Sequence, residues 1–364
     1  MPMPEMKQML EPAALQALLN DSRLDASLAH QQPQAWAQVW EGLAYRSVSY
    51  APSSLAYQQA YLEDAGWQLQ DISLILQTDG RPCGIFPLAL GGPPGSVSLS
   101  GFGGPLMAPL FVQGLSPNTV KKICARLLEL LQMLAQRLSQ SSLSLQQAVL
   151  PDQAALGLSE WSQQLLAAGA SVTVKHDLFV DLSPSLDEIR AGFRKSFRPL
   201  INAGLRHWQV DLMDAAAADA AVWEELKALH LDVAGRKTRS DDSWQRQFSM
   251  IQAGEAFMVT LRDPETHRLV GAGVFQINRD EGLYGVGAYD RALFDKPLGH
   301  VVQQVAIEYL KRQGTRWYRL GERQFAQDQP TPSAKQLSIS AFKQGFASHV
   351  FARPEFVWPM APGV

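Results

Sequence analysis

Residues Gly282 to Glu322, GLYGVGAYDRALFDKPLGHVVQQVAIEYLKRQGTRWYRLGE, constrain the fold of this chain more than any other stretch. They predict a strand, a loop, a helix and a second strand. The first strand, Leu283 to Asp290, contains Gly285 and Gly287, and glycine inside a strand marks a bulge or a close backbone approach. The loop ends in Lys296-Pro297-Leu298-Gly299-His300, where proline suits the first turn of a helix because its missing N–H needs no partner there. The helix predicts one apolar face, Val301, Val302, Val305, Ala306, Tyr309 and Leu310. Gln303, Gln304, Glu308, Lys311 and Arg312 fall on the other face, with Ile307 the exception. Lys311 and Arg312 suit the negative end of the helix dipole, and Gly314 is a natural stop. Trp317 to Leu320 is then a strand parallel to the first. A helix N-terminus aimed between two neighbouring strands is a ready anion site.

The rest of the chain repeats that plan. SLILQTDGRPCGIFPLAL in the first half and FMVTLRDPETHRLVGAGVFQI in the second both read as strand, polar turn, glycine-containing strand. Each is followed by a glycine-bearing segment, a long helix, a strand, a helix and a strand. Three meandering strands and a helix crossing to a fourth predict a mixed α/β sheet with helices on both faces. The first hairpin is expected over Ile72–Gln77 and Gly84–Leu90, and its long helix over Thr119–Leu138. Asp187–Ala203 reads as a helical, strongly basic stretch, with Pro199 disfavouring a regular helix at Arg198. The division expected is a leader over 1–35, a first domain over 36–182 and a second over 183–364.

At 364 residues, with 46% hydrophobic and 18% charged residues, the composition is that of an ordinary globular protein with room for two cores. A net charge of −3 gives no general attraction to nucleic acid, so an anion site must be local. Two cysteines, Cys83 and Cys124, cannot build a disulfide framework or a zinc cluster. No spacing of His or Cys matches a metal site. GVGAYD and GAGVFQ lack the third glycine of a dinucleotide fingerprint, and neither a Walker sequence nor a Gly-x-Ser-x-Gly elbow occurs. The first residues lack the apolar core of a signal peptide and no run is long enough to span a bilayer, so the cytoplasm is expected.

These features together resemble the Gcn5-related N-acetyltransferase (GNAT) superfamily, and more narrowly the FemABX-type acyltransferases, which carry two such folds in tandem. The narrower resemblance rests on EIRAGFRKSFRPLINAGL (Glu188 to Leu205), VAGRKTRSDDSW (Val233 to Trp244) and FKQGF (Phe342 to Phe346). It implies two tandem domains, each a mixed, mostly antiparallel sheet flanked by helices. It also implies acyl transfer to an amine. The strand ending at Asp290 would splay from the strand at Trp317, an acyl-coenzyme A arm would enter the splay, and its pyrophosphate would meet the helix start. Gly285, Gly287, Lys296, Gly299 and His300 are the positions expected to hold that donor, with acetyl-coenzyme A the simplest case. The acceptor implied is an amine-bearing small molecule or envelope precursor. Aminoacyl-tRNA is the alternative donor, disfavoured by the negative net charge. A fold that only binds a nucleotide-sugar or a partner protein is the third reading.

Asp290 and Glu322 end the two flanking strands, where a carboxylate could accept the amine's proton; strand-end carboxylates also cap helices or sit in solvent. His300 is an alternative base. Arg190, Arg194 and Arg198 recur every four residues, which would line one helical face for phosphate binding or form a solvated charged face. Arg236 and Arg239 lie in a polar loop, where binding groups concentrate. Lys343, between Phe342 and Phe346, is a candidate to stabilise an oxyanion or a phosphate, or is an exposed lysine.

Overall fold

The computed structural model describes residues 10–152 and 157–360, and the chain forms two compact units. One comprises residues up to Tyr45, Gln58–Val174 and the segment from Arg353; the other comprises Arg46–Tyr57 and Lys175–Ala352. Neither unit is contiguous in sequence.

In the first unit, α1 (Pro12–Asp21), β1 (Ala26–Leu28), α2 (Pro33–Gly42) and the later part of α3 (Pro52–Asp64) lead into a meander. The meander is β2 (Gln68–Asp71), β3 (Leu74–Thr78), β4 (Arg81–Phe86), β5 (Ala89–Gly92), β6 (Ser98–Ser100) and β7 (Leu110–Phe111). Then come α4 (Pro117–Arg137), β8 (Ser142–Gln146), α5 (Glu160–Ala167) and the start of β9 (Ser171–Asp181). The strands form one sheet ordered β1-β3-β4-β7 and another ordered β2-β5-β6. The hairpin expected at Ile72–Leu90 is present, but its second strand is two strands in two sheets. Pro87 lacks the N–H that would continue a ladder, so β4 stops at Phe86 and β5 restarts at Ala89. α4 carries the expected stripe, with Ile123, Leu127, Leu130, Leu131 and Leu134 all buried in the unit's core. Leu15 and Leu19 of α1 join that core, so the stretch expected as a leader packs from Leu10 onward; its residues 1–9 lie outside the described residues.

In the second unit, α6 (Leu186–Gly192) and α7 (Phe197–His207) are followed by β10 (Gln209–Met213), α8 (Ala220–Ala234) and α9 (Asp241–Gln252). β11 (Ala256–Arg262), β12 (Leu269–Ile277) and β13 (Glu281–Tyr289) form an antiparallel meander. α10 (Leu298–Arg312) crosses to β14 (Trp317–Arg323), then α11 (Ala334–Gln344) leads to the start of β15 (His349–Pro359), whose residues from Arg353 belong to the first unit. Strand order runs β10-β11-β12-β13-β14-β9, with β14 parallel to β13 and antiparallel to β9. Edge strand β10, with the weakly alternating sequence QVDLM, was not anticipated from the sequence.

Near-continuous burial of β11 and β12 follows from covering the sheet on both faces. Phe257, Val259 and Leu261 point into a core with α7 and α10; Ala256 and Met258 point into another with α8 and α9. Period-2 alternation therefore sorts side chains between two cores rather than between core and water. α10 lies close on β12 because Gly273 has no side chain: a Cβ there would stand 2.6 Å from a Val302 methyl. Truncating Phe275, stacked on Phe257 at 4.9 Å, would cost ~3–5 kcal/mol.

A wedge between two strands as candidate functional site

Parallel pairing of β13 and β14 is short: Glu281 with Trp317, Gly282 with Tyr318, Leu283 with Arg319. Beyond Leu283 β13 runs on to Tyr289 beside β12, and β14 runs on to Arg323 beside β9, without pairing to each other. The result is a wedge with its apex at Leu283. A bulge starts its β13 wall. Val274 pairs with Val286 but Phe275 with Tyr284, so Gly285 is the extra residue. Gly285 and Gly287 are both exposed along this edge. A Cβ on Gly287 would lie 2.1 Å from the Tyr284 hydroxyl, so only glycine lets that phenol lie against the strand.

α10 starts beside the wedge. Its N-cap position is Pro297, and no side chain caps the first turn. Gly299 faces Phe342 and Tyr289, whose ring atoms would lie 3.2 and 3.8 Å from a Cβ. His300 stands edge-on to Phe197 (4.6 Å) and Phe342 (5.0 Å). Burial, helped by the Arg194 charge, lowers its pKa to about 4, so the imidazole is neutral at physiological pH. Lys296 turns to the end of α7: its Nζ lies 3.1 Å from His207 Nε2 and over the Trp208 ring.

α11 supplies the wedge's cation. Lys343 is half-buried, with Nζ 5.1 Å from the Tyr284 ring centre and 2.9 Å from where a Cβ on Gly321 would be. The ammonium group thus lies between a β13 side chain and the β14 backbone. Gly321 holds φ +115°, a conformation closed to most residues, which leaves that space open. Burial, then repulsion from Arg319, lowers the Lys343 pKa to about 8.

Beneath these groups lies a hydroxyl–amide line. The Tyr318 hydroxyl donates to Gln303 Oε1 at 2.5 Å, and the Tyr284 and Tyr289 hydroxyls are 3.1 Å apart. Gln303 and Gln304, expected on the solvent face of α10, are 1% and 2% exposed. α7 and the sheet cover α10 from two sides, so Ile307 is buried as well. A hydrophobic count cannot foresee a glutamine buried to meet a tyrosine.

The other candidate residues are dispersed. Asp290 accepts from Ala292 N (2.9 Å) and pairs with Arg268 (2.7 Å); that ion pair first, then the cap, holds its carboxyl below the usual range. Glu322 is half-buried near the end of β14, in register with Asp177. The basic stretch is helical in two pieces: Phe193 turns extended to bury its ring, separating α6 from α7, and Pro199 falls in the first turn of α7. The arginines consequently do not share a face. Arg190 binds Asn202, Arg194 donates to Ala341 O and lies over Phe197, and Arg198 donates to Ala191 O. Arg236 is exposed in the loop after α8. Arg239 donates to the Tyr57 hydroxyl (3.1 Å), contacts His230 Nε2 (3.1 Å) and covers Trp244. Tyr57 and His230 had no distinguishing sequence signal, being 182 and 9 residues from Arg239.

No family model matches the sequence, and no curated protein matches it either. Solved structures do resemble it. The crystal structure of FemX aligns with a TM-score of 0.64 at 12% identity, over 92% of this chain and 96% of that one. L-PGS from Bacillus licheniformis aligns at 0.54 and 12% identity, over 99% and 95%. A tandem GNAT protein of clavulanic acid biosynthesis aligns at 0.50 and 16%, over 93% and 98%. The fold is of the FemABX/GNAT type. Its two-unit, mixed α/β architecture is the one the sequence implied. At these identities the likeness concerns the fold. No helix among the described residues is long and apolar enough to cross a membrane, and no group of three His, Cys, Asp or Glu among them could hold a metal ion.

Proposed function

We propose that this protein is an N-acyltransferase whose second unit binds an acyl thioester, acyl-coenzyme A, along the free edge of β13 and passes the acyl group to an amine of a cell-envelope or surface-glycan precursor. The observation carrying this reading is the wedge that opens at Leu283, with its bulge at Gly285 and an uncapped helix start beside it. A strand edge offers amide and carbonyl groups to an extended ligand, and unpaired N–H groups at a helix start favour an anion. Gly285 and Gly287 line the donor's path; Gly299, Lys296 and His300 belong to its anion end. A tandem GNAT protein solved without acetyl-coenzyme A is among the folds this chain resembles, in keeping with that donor.

The step is direct. The acceptor's amine nitrogen attacks the thioester carbonyl, the tetrahedral oxyanion collapses, the C–S bond breaks, and the thiolate leaves. Lys343, mainly protonated at neutral pH with a pKa of about 8, stabilises the oxyanion in a partly desolvated setting. Glu322 takes the proton lost by the amine, directly or through water. Asp290 is tied to Arg268 and to its own cap, and the His300 ring is packed edge-on between Phe197 and Phe342, which leaves neither as well placed for the amine. Arg236 and Arg239, in the loop between α8 and α9, contact the acceptor's anionic portion; Arg190 and Arg194, held by Asn202 and Ala341 on the α7–α10 side of the sheet, take no part in that contact. With the arginines of α6 and α7 engaged locally, those two helices give the tRNA-dependent alternative no shared phosphate-binding face.

The deciding experiment incubates the full chain with acetyl-coenzyme A and a panel of nucleotide-linked amino sugars. Amine-dependent release of free thiol, with thermal stabilisation by the donor alone, is expected. Stabilisation by an amino-sugar nucleotide without thiol release from any thioester would favour a binding module instead.

A further inference from the structure

An acyl group entering the wedge would meet the lining of its α10-facing side. Tyr284 and Tyr289, both on β13 and both half-buried, bring their hydroxyls together at 3.1 Å. Burial raises both phenols' pKa, so they remain neutral groups able to donate and accept. Gln303, 1% exposed, uses Oε1 for Tyr318; its Nε2 is near enough to Tyr284 to affect that phenol, yet no partner meets it in hydrogen-bonding geometry among the described residues. A buried donor left unpaired costs ~1–3 kcal/mol, and an arriving acceptor recovers it. Lys343 Nζ closes the same space from α11. The absence of a side chain at Gly287 holds the Tyr284 hydroxyl where it is.

We infer that this hydroxyl–amide cluster is an acyl-group subsite, selecting acyl chains that bear a neutral oxygen substituent, as in a hydroxyacyl thioester, over plain alkyl chains and over chains ending in an ammonium. The reading rests on the proposed donor site. An alkyl chain would leave two phenols and an amide facing carbon, whereas a site built to hydrogen-bond a hydroxyl rejects the analogue lacking one. An ammonium would meet the Lys343 cation. The nearest carboxylates along β13 are engaged: Asp290 by Arg268, and Glu281 by the Ser47 hydroxyl and the Arg319 guanidinium, while Glu322, next to Gly321 on β14, is the residue assigned to the acceptor's proton.

The test titrates the full chain with butyryl-, 3-hydroxybutyryl- and β-alanyl-coenzyme A near neutral pH, by calorimetry. The hydroxyacyl thioester should bind roughly tenfold more tightly than the butyryl one, the equivalent of one well-made hydrogen bond, and β-alanyl-coenzyme A should bind weakest. Tyr289→Phe and Gln303→Met should each narrow the hydroxybutyryl–butyryl gap while leaving butyryl affinity in place. Two substitutions, one half-buried and one in the core, guard against a single misfolded variant. Equal affinity for hydroxybutyryl and butyryl, or preference for the ammonium-bearing chain, would overturn the subsite with the donor reading intact. Failure of all three thioesters to bind would remove the donor reading and the subsite with it.

Discussion

Two long helices in this molecule, one in each unit, differ in their first turns. α4 of the first unit is capped by its own chain: Ser116 Oγ accepts from Thr119 N at 3.1 Å and lies 2.8 Å from the Thr119 hydroxyl. α10 of the second unit begins at Pro297 with no side-chain cap. The ionisable groups differ in the same sense. In the first unit the resolved shifts belong to Cys83 and Cys124, thiols pushed up by burial to about 11 and about 12 and thereby made unreactive. In the second, Lys343 and His300 are bases held below their ordinary values next to an open strand edge. Perturbed titratable groups concentrate at sites that do chemistry. The difference is in keeping with the proposal that the second unit carries the chemistry.

The largest expected effect breaks that assignment most directly. Lys343→Met should slow transfer by about 10²–10³-fold, the scale seen when an oxyanion partner is removed. The same change should stabilise the fold. With a folded pKa of about 8 against 10.5 for an ordinary lysine, the folded state releases its proton earlier, so this group's contribution rises between those values and is fully unfavourable below about 8. Denaturant titration should show the variant more stable at neutral pH by on the order of 1–3 kcal/mol, and the advantage should fade toward pH 10.5. A variant with unchanged turnover would return Lys343 to a purely structural place.

Next comes the helix start. Gly299→Val must displace Phe342 and Tyr289, whose rings crowd the added carbons, and so disturb the donor's anion end. Donor dissociation should weaken by at least about tenfold while acceptor affinity holds. Equal losses for both ligands would show a folding defect rather than a donor contact.

Much of this was legible in the sequence, for identifiable reasons. Glycine at 285 announced an irregular strand, and it is the bulged residue; the parallel return of Trp317 followed from the intervening helix. The apex at Leu283 was not legible, since where two strands part depends on contacts made by α10 and α11. Nor was the break at Phe193: four-residue spacing of arginines reads as a helix face, but burial of one phenylalanine decided the path. Gln303 escaped for a related reason, because polar residues are assigned to water unless a buried partner, here Tyr318, is known. Arg239 was visible as a charge in a loop, while the Tyr57 and His230 that hold it come from distant or helical positions.

A smaller effect concerns His300. Its folded pKa of about 4 against an ordinary 6.5 means the unfolded chain binds the proton first, so stability is lost as pH falls from 6.5 toward 4. His300→Phe, filling the same aromatic surroundings, should flatten acid unfolding over that range, by at most about 3 kcal/mol. A slope identical to wild type would mean the ring is protonated in the folded protein.

The smallest effect sharpens the comparison of the two helix starts. Ser116→Ala removes the cap of α4 and should cost ~1 kcal/mol of stability, a melting shift of a few degrees. Because that helix start satisfies its own N–H groups, nothing there is expected to meet the donor, and donor affinity should be unchanged. Pro297→Ser is the converse experiment. A serine at the N-cap of α10 would supply an oxygen to the same N–H groups proposed to receive the donor's anion. Stability should then rise by a few tenths to ~1 kcal/mol while donor affinity falls several-fold, the two changes having opposite sign because one set of N–H groups cannot serve both partners. Calorimetry and thermal melts on the pair of variants separate the cases. Loss of donor affinity in Ser116→Ala would place a ligand on the first unit, and a Pro297→Ser variant with undiminished affinity would remove α10 from the donor site.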